Sequence, residues 1–119
     1  MPRLNKLIAM AGLAWALCLS GCRARMVTFK LVNTSAEPLS TIIVDYPSAT
    51  FGKDQLAPGE VFSSTVKLTD TGAIKVQFVD ASGTGHNYVG PVLHKDDLGS
   101  LEIKLSQTGA VAYPNVVSR

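Results

Sequence analysis

From Met26 onward the sequence predicts an all-β domain, an antiparallel β-sandwich of about seven or eight short strands. Three observations predict it. Apolar and polar residues alternate at period two, clusters of turn-forming residues separate the alternating runs, and no segment in this region has the spacing of an amphipathic helix. Successive strand side chains point to opposite faces, so each run lays one apolar row on a core and one polar row in water. Alternation is blind to closure, which leaves a small β-barrel as the alternative architecture.

The first run sets Val27, Phe29 and Leu31 against Thr28 and Lys30. It stops at Asn33-Thr34-Ser35-Ala36-Glu37-Pro38, where turn formers precede a proline that cannot donate to a ladder. Asn33-Thr34-Ser35 has the form of a glycosylation acceptor and reads here as a turn. The second run, Leu39 to Tyr46, departs from alternation because Ile42, Ile43 and Val44 are consecutive and load both faces. A continuous apolar strand is usually a central one, covered on both sides. The functional alternative is an exposed patch at Ile43 with Tyr46 and, across a loop, Phe51 at its rim, the kind of surface that marks a protein interface.

Pro58-Gly59 suits a type II turn, with proline fixing φ at the first central position and glycine accepting φ > 0 at the second. It leads into Phe62, Ser64, Val66 and Leu68, alternating with Ser63, Thr65 and Lys67. Thr69-Asp70-Thr71-Gly72 then predicts a hairpin onto Ile74, Val76 and Phe78, and Asp80-Ala81-Ser82-Gly83 a second hairpin onto a short strand at His86 to Val89. Asp97-Leu98-Gly99-Ser100 precedes the run Leu101, Ile103 and Leu105. A last short strand is expected at Ala110 to Tyr113. The domain therefore spans 26–113, with 114–119 as a C-terminal tail.

Upstream, Arg3 and Lys6 precede an apolar run, Leu7 to Leu17, followed by Leu19-Ser20-Gly21-Cys22. The run is shorter than the roughly 20 residues that span a bilayer core, so residues 1–21 read as a cleaved export signal. The tetrapeptide resembles the lipobox of bacterial lipoproteins. That resemblance implies that the Cys22 thiol takes a diacylglyceryl group and that cleavage falls between Gly21 and Cys22. The freed amine of Cys22 is then a site for a further acyl chain. It also implies a membrane-anchored protein of the bacterial cell envelope, in the outer membrane where the source has one, because Arg23 is not the aspartate that favours inner-membrane retention. Residues 22–25 form the lipidated N-terminus and a tether of only Arg23, Ala24 and Arg25, reaching roughly 10 Å when extended. Arg23 and Arg25 could each gain about 1 kcal/mol from anionic headgroups.

The charge balance excludes a nucleic-acid partner. Of eleven Lys and Arg, Arg3 and Lys6 leave with the signal, so the remaining nine match nine Asp and Glu and supply no cationic cluster for phosphates. Cysteine usage is equally restrictive. Cys18 leaves with the signal and the lipid consumes Cys22, so no thiol remains for a disulfide, a zinc site or a nucleophile.

The search for chemistry names His86 and His94, the two histidines, with Asp80, Asp96 and Asp97. Their spacing fits no metal motif, and His94-Lys95-Asp96-Asp97 reads as a solvated loop in which Lys95 opposes a cation. There is no G-x-S-x-G elbow, and Gly83-Thr84-Gly85 lacks the later glycine of a dinucleotide loop because Tyr88 stands there. No catalytic residue, metal ligand or cofactor is expected.

Phe29-Lys30-Leu31-Val32-Asn33 before a turn, then Leu56-Ala57-Pro58-Gly59-Glu60 before a strand, resembles the small immunoglobulin-like or fibronectin type III-like sandwiches of bacterial envelope proteins. The antibody cysteine pair is missing, and Trp15 falls in the signal. The resemblance implies the fold and an adhesive role and transfers no site residues. The expectation is a lipid-anchored, non-catalytic interaction or structural module with an envelope protein as partner. The alternative is a small-ligand or metal-binding lipoprotein using the His86 and His94 loops.

Overall fold

The computed structural model describes residues 25–118. The proposed signal, its cleavage site at Gly21 and Cys22, and Arg23 lie outside the described residues. Among those described there are eight strands: β1 (Val27–Asn33), β2 (Leu39–Tyr46), β3 (Ala49–Leu56), β4 (Val61–Val66), β5 (Gly72–Val79), β6 (Gly85–Leu93), β7 (Leu98–Ser106) and β8 (Gly109–Val117). They form two four-stranded sheets, ordered β4-β1-β7-β8 and β3-β2-β5-β6. The sheets do not close into a barrel, and the fold is a β-sandwich.

The alternation places the core as expected. Val27, Phe29 and Leu31 of β1, Ile74, Val76 and Phe78 of β5, and Leu101, Ile103 and Leu105 of β7 are all buried between the sheets. The run Ile42-Ile43-Val44 is resolved by a β-bulge. Register with β5 shifts between Ser40 and Ile43, and Thr41 takes a positive φ of 51°. The extra residue turns Leu39, Ile42 and Val44 to the core and leaves Ile43 half-buried on the outer face. The strand is interior to its sheet, as a continuous apolar run suggests, but only one of its faces is fully buried.

Four features differ from the sequence expectation. First, β3 occupies residues read as loop. As an edge strand it sends only Phe51 and Leu56 toward the core, so its sequence ATFGKDQL carries little alternation. Second, β8 continues through Pro114 to Val117, so these residues are strand rather than tail. An edge position tolerates the proline: Ala112 N–H donates across the open side to Tyr88 Oη at 3.3 Å, and two residues on Pro114 has no such donor to offer. Third, residues 67–71 carry the chain from one sheet to the other instead of closing a hairpin, because β4 pairs with β1 and β5 with β2. Fourth, β1 and β7 run parallel, so the first sheet is mixed rather than purely antiparallel.

At Pro58-Gly59 the turn forms as read. Gly59 has φ 76° and Glu60 N–H donates to Ala57 O at 2.9 Å. The strand directions then sort the connections into two groups. The β1–β2, β3–β4, β5–β6 and β7–β8 connections lie at one end, called distal here. Arg25, the β2–β3, β4–β5 and β6–β7 connections and the end of β8 lie at the other, proximal end.

Candidate functional site

The distal connections are joined into one polar surface by two turns of the same chemistry. Asn33 ends β1 fully buried, with Oδ1 accepting from Ser35 N–H at 2.9 Å and Ser35 Oγ at 2.7 Å. Its amide donates to Glu37 O at 2.8 Å and Leu56 O at 3.0 Å. Both amide hydrogens are thus spent inside the fold, so Asn33 serves as a turn clamp and not as an accessible glycan acceptor. Asp80 ends β5 in the same manner. Its Oδ1 accepts from Ser82 N–H at 2.9 Å, Ser82 Oγ at 2.6 Å and Thr84 N–H at 3.0 Å. Gln107, between β7 and β8, ties the two together: its Oε1 accepts from Ala81 N–H at 3.0 Å and its Nε2 donates to Ser35 Oγ at 2.9 Å. Three loops are therefore locked to one another by side chains. The distal loops contribute exposed Glu37 and Glu60 and contain no lysine or arginine.

His86 belongs to the same end. It faces Phe78 across the β5–β6 ladder, stacks on that ring with centroids 5.0 Å apart, and brings Nε2 to 2.7 Å from Asp80 Oδ2. This pairing is not visible in the spacing of Asp80 and His86 along the sequence. An aspartate-oriented imidazole is one element of a hydrolytic site, but the Ser82 hydroxyl here bonds the carboxylate and not the ring. The cluster holds the turn. Ser82 and His86, followed by the backbone N–H groups of Thr84 and Ser82, keep the Asp80 carboxyl far below its usual value of 3.8, against the opposing effect of burial.

A carboxylate depressed on folding contributes stability that is fully present above its unfolded pKa and is lost as pH falls below it. The melting midpoint should therefore drop as pH is lowered below about 4. Asp80→Asn, which cannot ionise, should flatten that slope while lowering the midpoint at neutral pH. Thermal denaturation of both proteins between pH 3 and pH 7 checks this; parallel acid slopes would exclude the role given to Asp80.

The three candidate interface residues do not form one surface. Tyr46 and Phe51 turn inward, where their rings lie 5.5 Å from that of buried Phe29 and 6.1 Å from each other. Phe62 extends the cluster at 6.2 Å from Phe51, and Lys53 Nζ sits 5.4 Å above its ring. Ile43 lies on the opposite, outer face, flanked in register by Gly52 and Gln77.

His94 lies at the proximal end, just past β6 and eight positions along the chain from His86 near the start of that strand, a span of roughly 26 Å. Its loop is only partly solvated. Asp97 is fully buried, accepting from His94 N–H at 2.8 Å, while Asp97 N–H donates to His94 O at 3.0 Å. Lys95 N–H donates to Thr71 Oγ1, and Asp96 N–H to Leu68 O. Among the described residues no three His, Cys, Asp or Glu side chains come together as a metal site. Arg25 is also committed. Its Nε donates to Asp96 O at 2.8 Å and its Nη2 to Val117 O at 3.3 Å, which ties the start of the domain to β8.

No family model and no curated protein matches the chain. Among solved structures it is similar to a protein from Eubacterium rectale determined by NMR, with a TM-score of 0.55 at 13% identity over 75% of this chain and 87% of that one. At that identity the likeness speaks for the fold alone.

Proposed function

We propose that this protein is a lipid-anchored, non-catalytic interaction module of the bacterial cell envelope, held through acylated Cys22. It presents its distal loops to an envelope protein. The observation that carries the reading is Leu19-Ser20-Gly21-Cys22 behind a basic start and an apolar run. The fold supports it in one respect. Arg25, three residues after Cys22, sits at the end opposite the Asn33–Asp80–Gln107 surface, so an anchor there leaves the cross-linked loops facing away from the lipid. Rigid, cross-bonded loops suit recognition because little ordering is left to do on binding. Arg23 in place of aspartate favours the outer membrane where the source has one. The separation of His86 from His94 removes the geometric basis of a shared metal or ligand site.

The test is at one sulfur atom. Each buried methylene of an acyl chain contributes about 0.8 kcal/mol, so two or three chains make release from a membrane negligible. Wild-type protein should partition into detergent, incorporate labelled fatty acid and start at residue 22. Cys22→Ser should do none of these and should retain its signal. Unlabelled wild-type protein in the aqueous phase would refute the anchor.

A further inference from the structure

We infer that the proximal rim of the β4-β1-β7-β8 sheet is a bilayer-contacting surface, on which Met26, Leu98 and Val117 rest against the lipid. This rests on the Cys22 anchor proposed above. Leu98 pairs with Val117, and Met26 precedes Val27, the partner of Gly99, with Gly99 N–H donating to Met26 O at 3.1 Å. The three residues are thus neighbours across β1, β7 and β8. All are apolar and open to solvent, Met26 at 37%, Leu98 at 41% and Val117 at 64%. Leu98 and Val117 lie on the outer face, opposite the core residues Leu101 and Val116.

What covers this row follows from where the chain enters. Cys22 precedes Arg25 by three residues, which span at most roughly 10 Å. The row crosses three strands about 4.8 Å apart, so its whole width lies within reach of the acyl chains. Arg25 fixes the geometry, because its guanidinium spans from the β6–β7 loop to the last residue of β8 and holds Met26, Leu98 and Val117 at the point of attachment. The charged neighbours Lys67, Lys95 and Asp70 are exposed and of mixed sign, so the row itself makes an apolar contact, while any attraction to anionic headgroups comes from Arg23 and Arg25 beside the anchor. Short apolar side chains at such a rim sink into the interface and fix the tilt of the domain.

The experiment uses the full-length, processed and lipidated protein in phosphatidylcholine vesicles containing nitroxide-labelled acyl chains. Leu98→Cys, Val117→Cys and, at the distal end, Thr108→Cys each carry an environment-sensitive fluorophore on the one thiol left after processing. Quenching should be several-fold stronger at positions 98 and 117 than at 108 in vesicles that contain no anionic lipid. Equal, weak quenching at all three positions in protein that carries labelled fatty acid overturns the docking surface and leaves the anchor standing. Shielding at position 98 that grows with protein density in the vesicle also overturns it, in favour of a second copy of the chain. Failure of the wild-type chain to take up fatty acid overturns both readings.

Discussion

Gly99→Val should lower the melting midpoint by roughly 12 °C or more, the shift that about 3 kcal/mol produces in a domain of this size. Gly99 stands in β7 between Val27 of β1 and Val116 of β8. Its φ of 140° lies in the region that only glycine enters without strain. A Cβ placed there would run into the Asn115 carbonyl oxygen and lie 2.9 Å from Val116 Cα. Two costs combine: about 1–3 kcal/mol for a disfavoured backbone conformation and a similar amount for displacing packed backbone. Gly85→Ala is the control, since no heavy atom would lie within 4 Å of its new Cβ and its φ is unexceptional; it should stay within about 0.5 kcal/mol of wild type. Equal midpoints for the two variants would show that β7 and β8 separate easily, contrary to the packing described.

Phe29→Ala should destabilise by about 3–5 kcal/mol, a large share of the roughly 5–15 kcal/mol that holds a small domain folded. Phe29 is fully buried and is the one member of the aromatic cluster with ring contacts to both Tyr46 and Phe51. Removing its ring leaves a cavity between two sheets whose backbone ladders resist collapse. Phe29→Leu refills part of that volume and should lose less. Chemical denaturation gives the comparison directly: an alanine variant as stable as the leucine variant would mean that the sheets close over the gap.

The period-two runs disclosed the strands that face the core on one side only, because there burial and sequence share a period. They disclosed neither β3 nor the end of β8. Both belong to edge strands, where few residues touch the core and the pattern fades. The 67–71 connection read as a hairpin because turn chemistry reports a reversal of direction and not which sheet receives the chain. The outward turn of Ile43 depended on the bulge at Thr41, a backbone event with no sequence signature in a run of β-branched residues. At the distal site the turn residues were legible as turns. That Asn33 and Asp80 would be clamped by serine two residues on was legible in principle, since each is followed by Ser at that spacing. The Gln107 bridge was not, because it spans 72 residues to Ser35. The His86–Asp80 contact follows from ladder register, which pairs His86 with Phe78 and so sets it beside the turn.

The parallel pairing of β1 with β7 bears on the order of assembly. In the β3-β2-β5-β6 sheet two of the three pairings are hairpins between consecutive strands, β2 with β3 and β5 with β6, so much of it can form from local contacts. The other sheet has only one such hairpin, β7 with β8. Its first strand must wait for a partner 72 positions along the chain, Val27 meeting Gly99, and contacts of that separation form late because loop closure precedes any gain from pairing. A chain emerging N-terminus first from an export channel would hold β1 with one edge bare until nearly all of the domain had crossed. The backbone N–H and C=O groups along that edge of β1 would be unpaired for that interval. In a lipoprotein this is also the segment nearest the bilayer, so the nascent strand would be the part of the molecule most in need of a chaperone during transit.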